Sequence, residues 1–307
     1  MKVDIDSFRV REGSRDPFGA QAPADTRPFR SKQPAEIDLA QQLQRLPELQ
    51  ERFYADGRYA LLLVVQGMDA GGKDSLVEHV MHGVNPQGIR VVPFKVPSQE
   101  DVAHDFLWRA AKALPRKGEI AVFNRSYYED VIVVRVHPDL LERQRVPSEA
   151  VDEGFWNDRF DDIRAFERHL VRSGTVIRKV FLHVSREEQR KRLLARLTDP
   201  KKNWKFEAKD LAERECWKDY MHAYREALSA TSTRHAPWYA VPADHKWFVR
   251  AVVARMLVGT LESLDLRYPQ LPPRDLHAME RAVADLRGRP PARGRRGVGA
   301  TPRPGRS

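Results

Sequence analysis

The sequence predicts an α/β fold in which a parallel β-sheet carries helices on both faces. Three observations support this prediction. Short apolar runs alternate with amphipathic helical patterns along most of the 307 residues. A glycine-rich loop joins the first apolar run to a helix, and a polar cluster follows a later run. Because the carboxyl ends of parallel strands share one edge of the sheet, we expect loop and cluster to face a common crevice.

The elements are predicted from periodicity and from their start and stop signals. A helix is expected from Pro34 to about Asp56, interrupted at Pro47. Ser98 and Asp101 form a capping pair that predicts one helix ending near residue 115. The other predicted helices cover residues 72–82, 155–171, 207–229 and 244–264, with one more beginning at residue 185, and the predicted strands lie within 59–67, 89–94, 119–123, 176–183 and 238–241.

The glycine-rich stretch is the strongest functional signal. Gly67, Gly72 and Lys73 fit the G-x-x-x-x-G-K frame, in which backbone N–H groups, a lysine and a helix start surround phosphate oxygens. The alternative is a tight βα turn without a ligand. The candidate phosphate-binding or nucleotide-binding residues of this stretch are Gly67, Gly71, Gly72, Asp74 and Ser75.

Two carboxylates in this stretch predict a divalent metal. Asp74 occupies the position where a Ser or Thr usually meets Mg²⁺, and Asp69 lies inside the loop. Two acids beside bound phosphates would repel them unless a cation lay between. We therefore expect Asp69 and Asp74 to hold Mg²⁺, with Mn²⁺ as the alternative.

A polar cluster follows the strand at residues 119–123. Arg125 would be a costly charge in the same crevice unless it met an anion, so it is a candidate ligand contact. Asn124 stands where such strands often end in a metal-binding Asp, and it brings no negative charge. Tyr128 and Glu129 are further candidates, although Tyr128 fits a core aromatic residue equally well.

A basic segment predicts a mobile lid at about residues 190–230. Arg192 and Arg196 are one helical turn apart and share a face, for which a solvated charged surface is the alternative. The next helical pattern, at 207–229, is polar on nearly all sides and would be weakly held by burial. If the crevice carries out phosphoryl transfer, a closing lid would exclude water, which would otherwise compete with the substrate as the phosphoryl acceptor. The lysines that continue the basic run are Lys201, Lys202 and Lys205.

Composition limits the other functional classes. The formal net charge is +10, but residues 286–307 contain seven arginines and no acid, which leaves only +3 for the rest of the chain. Nucleic acid is therefore an unlikely partner of the folded part. The single cysteine, Cys216, excludes an internal disulfide. No apolar run is long enough for a membrane span, and we expect a cytoplasmic protein without a membrane partner.

The predicted organisation is one domain with two arms. Residues 1–34 lack a hydrophobic period and are expected to form an irregular N-terminal arm, and residues 35–268 form the catalytic domain. Residues 269–307 are rich in Pro and Arg and are expected to be largely disordered, with one helix around 276–286.

Several motifs in the same order resemble those of the family-2 polyphosphate kinases. The resemblance covers roughly residues 35–268. The motifs are GMDAGGKD at 67–74, FK at 94–95, HDFLWR at 104–109, NRSYYEDV at 124–131 and APWYAVPAD at 236–244.

The resemblance implies a thymidylate-kinase-like P-loop fold with a helical lid. It also implies Mg²⁺-dependent phosphoryl transfer between inorganic polyphosphate and nucleotides, in a protein that is commonly a homodimer or homotetramer. Asp69, Lys73, Arg125 and Arg192 would be catalytic. Asn124, where some members have Asp, leaves the metal count open, and Glu129 matches members that accept both mono- and diphosphates. The polyphosphate-binding residues would be Lys95, Arg109, Arg196, Lys201, Lys202 and Lys205.

Two alternatives stay open at this point. The first is an ATP-dependent nucleotide kinase of the same fold, which would be inert with polyphosphate. The second is a nucleic-acid-associated protein that acts through its arginine-rich tail. Deleting residues 287–307 would abolish the function of a tail binder and leave the turnover of an enzyme nearly unchanged.

Overall fold

The computed structural model describes residues 3–19, 21–205, 207 and 209–288. The chain divides into two units, Met1–Tyr268 and Pro269–Ser307. The strands of the first unit are β1 Ala60–Gly67, β2 Ile89–Pro93, β3 Ile120–Asn124, β4 Thr175–His183 and β5 Trp238–Pro242. Its helices are α1 Lys32–Asp56, α2 Lys73–Val80, α3 Gln99–Val102, α4 Trp108–Lys112, α5 Glu129–Val136, α6 Pro138–Arg143, α7 Phe155–Arg172, α8 Arg186–Thr198, α9 Lys209–Glu215, α10 Trp217–Thr231 and α11 Lys246–Glu262.

The five strands form one parallel sheet in the order β2-β3-β1-β4-β5. All eight residues of β1 are buried, as expected for a central parallel strand covered on both faces. The chain passes from β1 to β2 and β3 on one side and then to β4 and β5 on the other. In open parallel sheets, ligands bind beyond the carboxyl ends of the strands where the strand order reverses. The predicted fold class is confirmed, and the crevice lies beside β1.

The predicted interruption at Pro47 is wrong, because helix α1 continues through this residue. The proline lies inside one continuous helix of 25 residues. Proline removes one helical hydrogen bond and crowds the preceding turn. Leu46, Leu49 and Phe53 are buried on both sides of this position, and packing of α1 against α11 offsets the local cost.

The single helix predicted from Ser98 to about residue 115 is wrong, because the structure has two short helices there. The capping box of Ser98 and Asp101 is present and starts α3. The Asp105 side chain accepts a hydrogen bond from the Leu107 amide at 2.9 Å, and its carbonyl accepts one from Trp108 at 3.1 Å. This local turn competes with the helix and separates α3 from α4.

The predicted polar helix at 207–229 is also corrected. It is divided into α9 and α10, and α10 has a buried face at helical spacing that includes Tyr220, Ala223, Tyr224 and Leu228. Alanine and tyrosine are weak hydrophobic signals in a sequence, which explains the missed face. Among the described residues of the predicted lid, α9 and residues 200–204 have the mostly exposed surface expected of a lid.

The N-terminal arm is irregular apart from a 3₁₀ turn at Ile5–Phe8. It is nevertheless part of the core, because Phe8, Phe18 and Phe29 are buried. An antiparallel bridge between Arg9 and Tyr239 places the arm along the edge strand β5. The arm thus covers an otherwise open sheet edge.

The second unit contains one described helix, α12 Pro273–Gly288, all of whose residues are exposed. It includes the helix predicted at 276–286. The tail beyond residue 288, which was expected to be disordered, lies outside the described residues. In the part of the chain that is described, no helix combines the length and the apolar character needed to cross a membrane.

Candidate active site

The loop between β1 and α2 requires glycine at two positions. Gly72 has φ +104°, a backbone conformation that residues with a side chain rarely adopt. A Cβ atom on Gly71 would lie 2.7 Å from the Met68 carbonyl oxygen. The loop is therefore a tight turn lined by backbone at the N-terminus of α2, where amide groups and the helix dipole favour an anion.

Lys73 folds back over this loop. Its side chain is buried, and its Nζ atom donates to the carbonyl oxygens of Gly67 at 2.6 Å and Met68 at 3.1 Å. Burial and the charge of Arg125 lower the pKa of Lys73, and Asp69 at 3.9 Å opposes them. The ammonium group is held by neutral carbonyl oxygens, which a phosphate could replace as a stronger, charged acceptor.

Asp69 and Arg125 form an ion pair across the carboxyl ends of β1 and β3. Arg125 Nη2 donates to Asp69 Oδ1 at 2.5 Å, and its Nη1 donates to Glu129 Oε2 at 3.2 Å. Burial would raise the pKa of Asp69, but the positive charges of Lys73 and Arg125 outweigh burial and lower it. Asp69 is therefore an ionised carboxylate between two cations at neutral pH.

The backbone of Arg125 is strained. Its φ is +63°, which is uncommon for a residue with a side chain. Its amide donates to the Val65 carbonyl of β1 at 3.0 Å. Such a conformation costs on the order of 1–3 kcal/mol and persists only where the surrounding structure imposes it. Here it directs the arginine into the crevice beside the glycine loop.

Asn124 and Ser75 each have a partner in the protein. Asn124 Nδ2 donates to Asp74 Oδ1 at 2.6 Å, so the amide orients Asp74 without adding charge. Arg250 on α11 donates to Ser75 Oγ at 2.8 Å. The Ser75 hydroxyl is therefore directed toward α11.

The carboxylates of Asp69 and Asp74 fit a metal ion that is completed by substrate. Among the described residues, no three His, Cys, Asp or Glu side chains are grouped closely enough to form a metal cage. Mg²⁺ needs no such cage, because it keeps several waters and commonly binds one or two carboxylates together with phosphate oxygens. Oxygen donors of this kind suit Mg²⁺ and Mn²⁺ alike.

A cavity of about 410 Å³ extends from these groups toward the lid segment. Gly67, Asp69 and Arg125 lie at one end, and Tyr220 and Tyr224 of α10 line the wall. This volume is within the range of small-molecule sites. At the far side, Glu213 of α9 accepts a hydrogen bond from Tyr220 at 2.5 Å and lies 2.8 Å from His137 Nε2. His137, directly after α5, and Glu213 of α9 therefore meet across the cavity.

The wall opposite the lid contains Lys95, Arg109 and Asp130. Arg109 donates to the Lys95 carbonyl at 3.1 Å, lies over the Phe94 ring and pairs with Asp130 at 3.4 Å. Burial raises the pKa of Asp130 to about 6, against the opposing charge of Arg109. Lys95 is exposed at the cavity rim, whereas the guanidinium of Arg109 is engaged by the protein itself.

Arg192 differs from the expected lid cation. Its side chain is 9% exposed, and it donates to the carbonyl oxygens of Gly71 at 2.7 Å and Ala243 at 2.6 Å. It also donates to the Asp244 carbonyl at 2.9 Å and to Glu188 at 2.8 Å. The guanidinium thus connects α8, the glycine loop and the segment after β5. In this structure it supports the loop rather than extending from a mobile lid.

The other predicted basic residues lie along the lid segment. Arg196 pairs with Asp210 of α9 at 2.5 Å. Lys201 and Lys202 are exposed, and Lys202 pairs with Asp199 at 2.5 Å. The Lys205 side chain lies outside the part of the chain that the structure describes.

Tyr128 is not exposed to the cavity, which corrects its assignment as a nucleotide-binding residue. Its side chain is 0% exposed. Its hydroxyl donates to Glu167 Oε1 at 2.9 Å inside the core. The alternative of a core aromatic residue is the one that fits the structure, because the ring also packs against Tyr127 and Trp238.

Two basic residues at the start of α11 were missed. Lys246 and Arg250 line a small cleft with Gly71, Gly72 and Ser75 on the α11 side of the loop. Burial lowers the pKa of Lys246, and the charges of Arg192 and Arg250 add to the effect. The available signal was their spacing of one helical turn directly after the motif at 236–244.

Comparisons with known proteins indicate one family. The family model described as Polyphosphate kinase 2 matches residues 30–269. The chain is 50% identical over 275 residues to the ADP-polyphosphate phosphotransferase of Rhodopseudomonas palustris, covering 89% of this chain and 95% of that protein. It is 45% identical over 264 residues to the AMP/ADP-polyphosphate phosphotransferase of Meiothermus ruber, covering 86% and 95%.

A crystal structure of polyphosphate kinase 2 from Arthrobacter aurescens TC1 is also similar. It superposes with a TM-score of 0.82 at 40% identity, over 91% of this chain and 95% of the other. These matches extend over most of the chain, so the family assignment does not depend on the glycine loop alone. The chain belongs to the polyphosphate kinase 2 family.

Proposed function

We propose that this chain transfers phosphoryl groups between inorganic polyphosphate and nucleoside mono- or diphosphates, forming ADP or ATP from AMP or ADP and the corresponding guanine nucleotides. The observation that carries the proposal is the convergence of Lys73, Asp69 and Arg125 beside a glycine loop at the end of a 410 Å³ cavity. Membership of the family and the names of the similar relatives support the same reaction.

The proposed transfer makes one P–O bond and breaks one. An oxygen of the acceptor's terminal phosphate bonds to the end phosphorus of polyphosphate, and the bridging bond to the remaining polymer breaks. Such reactions depend mainly on positioning and on cations that follow the moving charge. Lys73 would bind phosphate oxygens at the loop, and Arg125 would contact the transferred group. Asp69 would orient the acceptor phosphate.

The metal would be held by Asp69 and Asp74, with Asn124 orienting Asp74. When bound, Mg²⁺ or Mn²⁺ would neutralise the phosphate oxygens that these carboxylates would otherwise repel. Because Asn124 adds no negative charge, we propose that these two carboxylates supply all of the protein's charge to the ion.

Nucleotide and polyphosphate would approach from different sides of the loop. The cavity between α5 and α10 would accept the nucleotide, and Glu129, paired with Arg125, would border its phosphates. Lys246 and Arg250, together with the lid residues Arg196, Lys201, Lys202 and Lys205, would bind the polymer. Successive cations along a polyanion are favoured by counterion release. Lys95 and Arg109 would border the other rim.

Two further expectations stay predictions. A homodimer or homotetramer is expected from the family resemblance, and so is a cytoplasmic location from the sequence. The residues at about 190–230 are proposed to close over the cavity, with α9 as the moving part, since α10 is packed on the core.

The proposal is tested by the choice of phosphoryl donor. Purified protein is given AMP, ADP, GMP or GDP with Mg²⁺ and either long-chain polyphosphate or ATP as the donor. We expect ADP or ATP, and the guanine counterparts, to form from polyphosphate. Product from the ATP donor alone would instead support an ordinary nucleotide kinase. Deleting residues 287–307 should leave the rate within about twofold, since the proposed site contains none of them.

A further inference from the structure

A buried polar cluster lies under the crevice, and none of its residues has a role assigned in the transfer proposed above. It consists of Tyr128, Glu167 of α7, Lys179 of β4 and Thr231 of α10. The side chains of Glu167 and Lys179 are both 0% exposed, and their ion pair measures 2.6 Å. Tyr128 and Thr231 are also 0% exposed. The cluster is therefore sealed from solvent.

The four members of the cluster are hydrogen-bonded to one another. The Lys179 ammonium uses its three N–H groups on Glu167 Oε2 at 2.6 Å, the Tyr128 hydroxyl at 2.9 Å and the Thr231 carbonyl at 2.8 Å. The Tyr128 hydroxyl donates to Glu167 Oε1 at 2.9 Å and lies 2.9 Å from Thr231 Oγ1. A buried ion pair is often replaceable by apolar residues without loss of stability, whereas removing one partner alone leaves a buried charge and is strongly destabilising.

The cluster joins two elements that shape the crevice. Tyr128 follows Arg125 by three residues, at the end of the strained turn that directs the arginine toward Asp69. Thr231 is the last residue of α10, two turns after Tyr224, which lines the cavity. Lys179 satisfies the carbonyl at the end of that helix, where intrahelical donors are absent. The Tyr128 hydroxyl connects the segment that follows Arg125 directly to the Thr231 side chain at the end of α10.

We propose that the Tyr128 hydroxyl is a positioning group that keeps Arg125 in its crevice conformation and locks the end of α10 beside it. The inference rests on the phosphoryl transfer proposed above, because it assigns Arg125 to that reaction. Tyr127 provides a natural contrast. It is equally buried and also donates to Glu167 Oε1, at 2.8 Å, but it makes no bond to Lys179 or Thr231.

The test compares Tyr128→Phe with the matched control Tyr127→Phe in the full chain. We expect Tyr128→Phe to lower kcat with polyphosphate and ADP about tenfold, with little change in KM, because binding groups stay in place while the transition-state contact loosens. Tyr127→Phe should stay within about twofold of wild type. Each variant loses one buried hydroxyl, and Tyr128→Phe should melt at the lower temperature of the two, because it also leaves one N–H group of Lys179 without its acceptor.

A second arm identifies Arg125 as the group that is positioned. In an Arg125→Lys background, the tenfold loss caused by Tyr128→Phe should shrink to less than about twofold, because residues that act as a unit are not additive. Amide hydrogen exchange should also quicken at residues 125–129 and in the last turn of α10 in Tyr128→Phe alone.

These results separate the inference from the proposed function. A wild-type protein that is inactive with polyphosphate would contradict the proposed function, while the exchange data would still decide whether Tyr128 orders both segments. A Tyr128→Phe variant that keeps the wild-type kcat, equal losses in the two tyrosine variants, or an undiminished loss in the Arg125→Lys background would overturn the positioning role. Unchanged exchange at both segments would do the same.

Discussion

Two arginines near the glycine loop hold their charge in different ways. Arg125 pairs with the carboxylates of Asp69 and Glu129, and its side chain is 37% exposed. Arg192 is 9% exposed and donates mainly to backbone carbonyl oxygens of the loop and of the segment after β5. Both looked like phosphate contacts in the sequence. We infer from this difference that Arg125 is placed to contact a ligand, whereas Arg192 supports the loop that binds the ligand.

The largest effects should come from the crevice side of this comparison. Lys73→Ala and Asp69→Asn should each lower kcat by at least about a hundredfold, the usual cost of removing one electrostatic contact to the transition state. Steady-state rates with polyphosphate and ADP check this, and Lys218→Ala on the exposed face of α10 is the matched control. If either crevice variant kept near-wild-type rates, the assignment of these residues would be wrong.

Replacing each arginine by lysine tests the comparison itself. Arg125→Lys should reduce kcat by tens of fold with little change in Tm, because a lysine lacks the guanidinium fork but keeps a positive charge beside Asp69 and Glu129. Arg192→Lys should instead lower stability by about 1–3 kcal/mol, because a single ammonium cannot satisfy the buried carbonyl oxygens. Thermal melts and rates measured on the same samples separate the two roles. Equal stability losses in both variants would erase the distinction.

The fold could be predicted because it depends on repeated, local signals. Five apolar runs, the glycine frame and the capping pair at Ser98 and Asp101 all appear in the structure as strands, a loop and a helix start. The misses had both local and non-local causes. Pro47 was tolerated because burial against α11 compensates for it, and the apolar face of α10 is built from weakly hydrophobic residues.

The sequence indicated which types of residue meet at the site, but it did not indicate which partners each side chain contacts. Asp69, Lys73 and Arg125 converge as the motif order indicated. The engagement of Arg192 and the burial of Tyr128 depend on elements far away in the chain, and no local pattern reports them. Lys246 and Arg250 reach the loop only because α11 packs beside α2.

Two carboxylates of the same cavity differ in the direction of their pKa shifts. Nearby cations lower the pKa of Asp69, whereas burial raises that of Asp130 to about 6, above its ordinary value of 3.8. From about pH 4 to 6 the folded state therefore binds a proton that the unfolded state has lost. The resulting contribution to the free energy of unfolding, about 3 kcal/mol at most, is lost as pH rises through this window.

Urea unfolding between pH 4 and 8 measures this effect. Asp130→Asn should flatten the fall in stability between pH 4 and 6, and Asp139→Asn at the exposed rim is the matched control. An unchanged slope in Asp130→Asn would show that other groups produce the pH dependence.

The central claim is that the crevice of Asp69, Lys73 and Arg125 moves a phosphoryl group from polyphosphate directly to a nucleotide. ³¹P NMR of polyphosphate, ADP and Mg²⁺ with the wild-type protein and with Lys73→Ala tests it most directly. We expect the ATP signals to grow as polyphosphate is consumed, with no equivalent rise in the orthophosphate signal. This should occur with the wild type and not with Lys73→Ala. Unchanged ADP, orthophosphate as the sole product, or equal ATP formation by Lys73→Ala would contradict it.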